Sequence, residues 1–131
     1  MKRYILFLLL FVTTANISFA QTEAKAEKKQ FIYVLHLVPK YLDTKIWTEA
    51  DNKIISEHFD RLKKLLAEGV IIIAGKTENW DEKMFGIVIY YSDSFETAKE
   101  LAEADPAVKG GLMTVEVYRY KIALIQDSYK K

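Results

Sequence analysis

The residue order predicts an α+β fold: a four-stranded antiparallel sheet with two helices on one face. Three observations predict it. Four segments are rich in branched and aromatic residues, as strands require, and two others repeat apolar residues at the helical period. Along the chain these segments run β-α-β-β-α-β. Right-handed crossovers then bring the strands into one sheet and both helices onto one side of it.

The first 20 residues stand outside that pattern. Met1-Lys2-Arg3 is a short basic start, Tyr4 to Val12 is an unbroken apolar run, and Ser18-Phe19-Ala20 places small residues at a cleavage position. This is the three-part signature of a secretory signal. The apolar run falls well short of the roughly 20 residues that a membrane span needs. Residues 21–30 (QTEAKAEKKQ) are polar and charged and read as a disordered linker. The folded domain is expected over residues 31–124, with a polar tail at 125–131.

The first strand is Phe31 to Val38, ended by Pro39. Thr48-Glu49-Ala50-Asp51 supplies a capping hydroxyl and first-turn acids for helix one. Apolar residues then recur at Ile54, Ile55, Phe59, Leu62, Leu65 and Leu66, and Gly69 stops the helix. Val70 to Ala74 is a short apolar strand, followed by a polar loop over 75–83 that holds Trp80. Met84 to Tyr91 is strand three. Ser94 can cap helix two, with Ala98, Leu101 and Ala102 facing inward and Pro106 closing it. Leu112 to Leu124 alternates apolar and polar residues and is strand four. The arrangement is ferredoxin-like.

Two helices cover one sheet face only. Strands one to three are nevertheless apolar at consecutive positions, which point to opposite faces. Both faces therefore call for burial, and a second copy of the same sheet is the simplest cover for the open one. A two-fold homodimer packed through its sheet faces is expected.

Cleavage after residue 20 would remove Lys2 and Arg3 and no acid, leaving 17 basic against 18 acidic residues. Such a chain has no bulk charge for nucleic acid or, once the leader is removed, for an anionic membrane. It contains no cysteine. Disulfides, thiol catalysis and thiolate metal sites are excluded. Secretion, to the periplasm or the medium, is the expected destination.

His58 lies on the apolar stripe of helix one, and Asp105 precedes Pro106 at the end of helix two. A histidine on a buried stripe needs a partner. A carboxylate beside an imidazole fixes its tautomer and stabilises its protonated form, which makes a competent general base. Two simpler readings stand beside this one. Asp before Pro is a turn device, and a boundary histidine can serve a backbone carbonyl. His36, within strand one, shares its parity with Ile32 and Val34 and is a candidate pocket liner. Trp80 can cap a pocket or pack at a dimer rim. Neither His-x-His nor His-x-x-x-His occurs, so no metal site is expected, and the Gly110-Gly111 pair lacks the spacing of a phosphate loop.

Taken together, His58-Phe59-Asp60-Arg61-Leu62, the run from Leu66 to Gly75, Ser94-Phe95-Glu96-Thr97-Ala98 and Ala104-Asp105-Pro106 resemble the YciI-like (YCII-related) family. The resemblance covers about residues 31–124. It implies a dimeric α+β barrel with a helical His and an Asp as an acid–base pair, which fall on His58 and Asp105. Barrels related to it include muconolactone-isomerase-like and dehalogenase-like enzymes. Two departures stand out: Lys76 follows Ala74-Gly75 where the family often has Pro, and the export signal is unusual for such a domain.

Two functions follow. One is cofactor-free acid–base catalysis, of isomerase, lyase or dehalogenase type, on a small organic molecule. The alternative is a non-catalytic dimer that binds a small ligand with His58 as an anchor. An oxygenase on the same barrel is allowed by fold alone, and no haem-ligating pattern supports it.

Overall fold

The computed structural model of the chain describes residues 28–129; the expected leader and most of the linker lie outside them. Four strands, β1 (Lys29–Leu37), β2 (Ile71–Lys76), β3 (Gly86–Ser92) and β4 (Met113–Arg119), form one sheet in the order β2-β3-β1-β4. Every neighbouring pair is antiparallel. The helices are α1 (Glu49–Ala67), α2 (Phe95–Glu103) and the single turn α3 (Pro106–Lys109). This is the ferredoxin-like arrangement that the periodicities predict.

Capping sets the helix ends. The Thr48 hydroxyl accepts from the Asp51 amide while the Asp51 carboxylate accepts from the Thr48 amide, a reciprocal box that opens α1. Ser94 and Thr97 do the same for α2. Gly69 takes φ +70° just past α1. There the amide of Val70 reaches the Leu65 carbonyl and that of Gly69 reaches Leu66. The left-handed glycine lets the chain reverse into β2 without a Cβ penalty.

Phe31, Tyr33 and Leu35 of β1 and Val88 and Tyr90 of β3 face the helices and form the core with Ile71, Ala98 and Ala102. The alternate residues Ile32, Val34 and Ile87 lie on the other face and are only partly covered. The paired apolar faces expected from the sequence are thus present. Ile73 sits beyond a bulge in β2, pairs with Ile89 on that second face and is 51% exposed.

β2 and β3 are each shifted towards their C-terminal ends, to Lys76 and Ser92, and three further differences have identifiable reasons. β1 begins at Lys29, two residues early, because it pairs with β3 as far as Ser92. β4 ends at Arg119 rather than Leu124. Past that point the amides of Tyr120 and Ile122 bond the Gln30 carbonyl and side chain in place of a regular ladder. Pro106 does not close α2. It opens α3 from the first helical position, where its missing N–H costs nothing.

Candidate active site

Asp105 links α2 to α3. Its backbone is extended (φ −63°, ψ 131°), as a residue before proline prefers. That conformation lets its side chain cap α3, and Oδ1 accepts from the Ala107 amide at 2.9 Å. The same carboxylate meets His58 on α1: Nδ1 lies 2.8 Å from Oδ1 and 2.9 Å from Oδ2. The two residues are 47 positions apart in the chain and meet because α1 packs beside α3. Both are buried, Asp105 completely. His58 is thus a buried member of the apolar stripe.

Of the two simpler readings, the turn device is present, since Asp105 caps α3, and the backbone-carbonyl partner for the histidine is not. The imidazole is committed to a carboxylate and not to a backbone carbonyl, and Asp105 serves the turn and the ring together. A neutral His58 bonded in this way donates Nδ1–H to Asp105 and leaves Nε2 as an acceptor. No described residue bonds Nε2.

His58 also borders a cavity of about 460 Å³ between α1 and the β2 side of the sheet. On the helix, Phe59, Leu62 and Leu66 follow His58 at helical spacing and form one wall. Ile73, Met84 and Phe85 contribute to the other. Lys63 and Lys76 are its cationic groups. An apolar hollow with one reactive polar group and few charges is the usual form of a small-molecule site.

A third residue joins the pair. Arg61, one turn along α1 from His58, donates from Nη2 to the Leu101 carbonyl at 2.6 Å and brings Nη1 to 3.7 Å from Asp105 Oδ2. Tyr33 from β1 lies in the same layer. Burial raises its hydroxyl well above the ordinary phenol value; the nearby Asp105 adds to this and Arg61 offsets part of it. Sequence reading overlooked Arg61. The available signal was its spacing: three residues after His58, it shares the helix face that a buried carboxylate must reach.

His36 and Trp80, the two candidate pocket liners, do not border this cavity. His36 is on the second sheet face, level with Thr114 and with its ring 6.2 Å from that of Phe85. Trp80 donates to the Leu42 carbonyl at 2.9 Å and has its ring 6.5 Å from that of Trp47. It ties the loop between β2 and β3 to the connection before α1. Among the described residues no group of three or more His, Asp or Glu side chains could hold a metal ion, and no helix is long and apolar enough to cross a membrane.

Among solved structures, the chain is similar to the 5-chloro-2-hydroxyhydroquinone dehydrochlorinase of Burkholderia phenoliruptrix AC1100, solved in complex with 2,5-dihydroxybenzoquinone. The TM-score is 0.53 at 22% identity, over 70% of this chain and 93% of that one. That likeness supports the fold. Among curated proteins none matches. The YCII-related domain model matches residues 23–121, a span that takes in the sheet, the helices and the His58–Asp105 pair, and the chain belongs to that family.

Proposed function

We propose that this protein is a cofactor-free acid–base enzyme of dehalogenase type. It acts on a small, largely apolar organic molecule bound in the cavity beside His58. The carrying observation is the buried His58–Asp105 contact opening onto that cavity. In the proposed step, Nε2 of neutral His58 removes a substrate proton. The electron pair left behind forms a new π bond as the adjacent leaving group departs with its own pair, as halide. Asp105, as carboxylate, compensates the imidazolium that results. The proton then passes to solvent and the base is restored. Acid–base assistance of this kind supplies about two to four orders of magnitude in rate.

The enzyme is proposed to work as an exported homodimer joined through the second sheet face. Support for the dimer comes from the incompletely covered apolar residues there that do not also line the cavity, Ile32 and Val34. Support for export comes from the leader-like first 20 residues.

The test uses two probes named by the structural relative: 5-chloro-2-hydroxyhydroquinone for chloride release and 2,5-dihydroxybenzoquinone for binding. Wild type should release chloride, and His58→Ala should lower the rate by roughly 10²–10⁴-fold. Binding that survives His58→Ala with no turnover in either form would support the non-catalytic ligand carrier. Equal turnover by wild type and His58→Ala would overturn the acid–base reading.

A further inference from the structure

We propose that Arg61 is a positioning residue that holds the Asp105 carboxylate against His58 by supplying its buried counter-charge. The inference rests on the acid–base reading for its importance to activity, but its test does not depend on turnover. A fully buried carboxylate needs more than one partner to remain ionised. Asp105 has the Ala107 amide, the His58 ring and, at longer range, the Arg61 guanidinium.

The placement of Arg61 is itself built. Just past α2 the Asp105 amide bonds Ala102 rather than Leu101, so the Leu101 carbonyl is left for another donor at the helix end. Arg61 Nη2 takes it at 2.6 Å. This anchor explains Nη2 and the crossing from α1 to α2. It does not explain Nη1, which is buried and has no hydrogen-bond partner. The acid facing Nη1 is Asp105, 3.7 Å away at Oδ2, beyond hydrogen-bond length but close for a charge pair in a dry site. Tyr33 Oη is also buried near the guanidinium and interacts with it, but brings no formal charge. The guanidinium and the His58 ring thus share the Oδ2 atom, and Arg61 does not line the cavity. It can fix the acid without competing for the cavity.

A merely structural Arg61 would tie α1 to α2 through Leu101 and nothing else. Arg61→Gln separates the two roles, because its amide can still donate a hydrogen bond but carries no charge. Arg61→Lys keeps the charge. The readout is the His58 ring by nuclear magnetic resonance: the Nδ1 proton held by Asp105, its exchange with solvent, and the ring nitrogen shifts that report the tautomer.

Wild type should show one tautomer with a slowly exchanging Nδ1 proton. In Arg61→Gln that proton should exchange roughly tenfold faster or more, with a mixture of tautomers, because a buried charge has lost its partner. Arg61→Lys should restore most of the native signature. Arg61→Gln with the wild-type signature would overturn the proposal, whatever its melting temperature. Should Arg61→Gln fail to fold, Asp105→Asn reads the same coupling from the other end, since Asn preserves the helix cap. The guanidinium protons of Arg61 should then exchange faster. Unchanged exchange would assign Arg61 to the Leu101 tie alone and overturn the proposal.

Discussion

Tyr33 and Tyr90 pack edge to face, 5.2 Å between ring centroids, yet only one of the two hydroxyls is bonded. Tyr90 donates to the Ala98 carbonyl at 2.8 Å, whereas Tyr33 Oη is buried without a hydrogen-bond partner among the described residues. The pair makes an internal contrast within one core layer. Tyr90→Phe should cost about 1 kcal/mol, the net worth of a buried hydrogen bond. Tyr33→Phe removes a hydroxyl that meets no hydrogen-bond criterion and interacts only with the charge of the nearby Arg61 guanidinium, and should cost less than Tyr90→Phe. Urea denaturation of the two variants checks the difference.

The same two phenols set an alkaline limit. Burial raises both well above the ordinary value; for Tyr33 the neighbouring Asp105 adds to the effect. In the unfolded chain a phenol loses its proton near pH ~10. In the folded chain these two keep theirs to higher pH, so above about pH 10 the unfolded state binds fewer protons. Their contribution is complete below that pH and is lost as pH rises toward the folded values. Stability should therefore begin to fall above about pH 10, and the double Phe variant should show a shallower fall. Phenolate absorbance followed together with far-ultraviolet circular dichroism tests whether two tyrosines ionise only as the chain unfolds.

At the acid end the sign is reversed. The hydroxyl and backbone amide of Thr48 hold the Asp51 carboxyl below its usual value. A group lowered in the folded state contributes above its unfolded value, about 3.9, and loses that contribution as pH falls through the folded one. The first turn of α1 should loosen on acidification, before the rest of the helix. Amide exchange at Thr48 and Asp51 between neutral and acid pH reads it, and Thr48→Ala should raise that exchange already at neutral pH.

Gly110 packs against Ile54. A Cβ placed there would stand 2.8 Å from Ile54 Cδ1 and 3.0 Å from the Pro106 carbonyl oxygen. Gly110→Ala should cost about 1–3 kcal/mol through overpacking between α1 and α3. Ile54→Val together with Gly110→Ala should recover part of it, as measured by thermal unfolding. Because Asp105 caps α3, the single variant should also disturb the His58 ring signals.

Much of this architecture was legible in the residues. The 3.6-residue rhythm from Ile54 to Leu66, its Thr48 cap and its Gly69 stop locate α1 to within a residue. The consecutive apolar residues of β1 and β3 correctly declare a sheet with two apolar faces. His58 and Asp105 were readable because each breaks a local rule: a titratable ring on an apolar stripe and an acid before proline. Arg61 was not, because a charged residue on a helix ordinarily points to solvent. Only the approach of α2 reveals that its head is needed inside. The cavity escaped for a related reason. It depends on how far the end of α1 stands off the bulged edge of β2, a distance that no side-chain pattern encodes. His36 and Trp80 attracted attention by residue type, and their positions follow from strand parity and from the Leu42 carbonyl.

Asp105 has consequences beyond the chemistry of a single turnover. One carboxylate both starts α3 and aligns the imidazole, so selection for a foldable chain and for a reactive one acts on the same atoms. Descendants of such a chain would keep the acid and base together under either pressure. Variation would fall instead on the aliphatic walls, such as Leu62, Leu66 and Met84, whose side chains make no hydrogen bonds and can be exchanged at modest cost. A scaffold arranged in this way is suited to trading one small molecule for another while its proton-handling centre stays fixed.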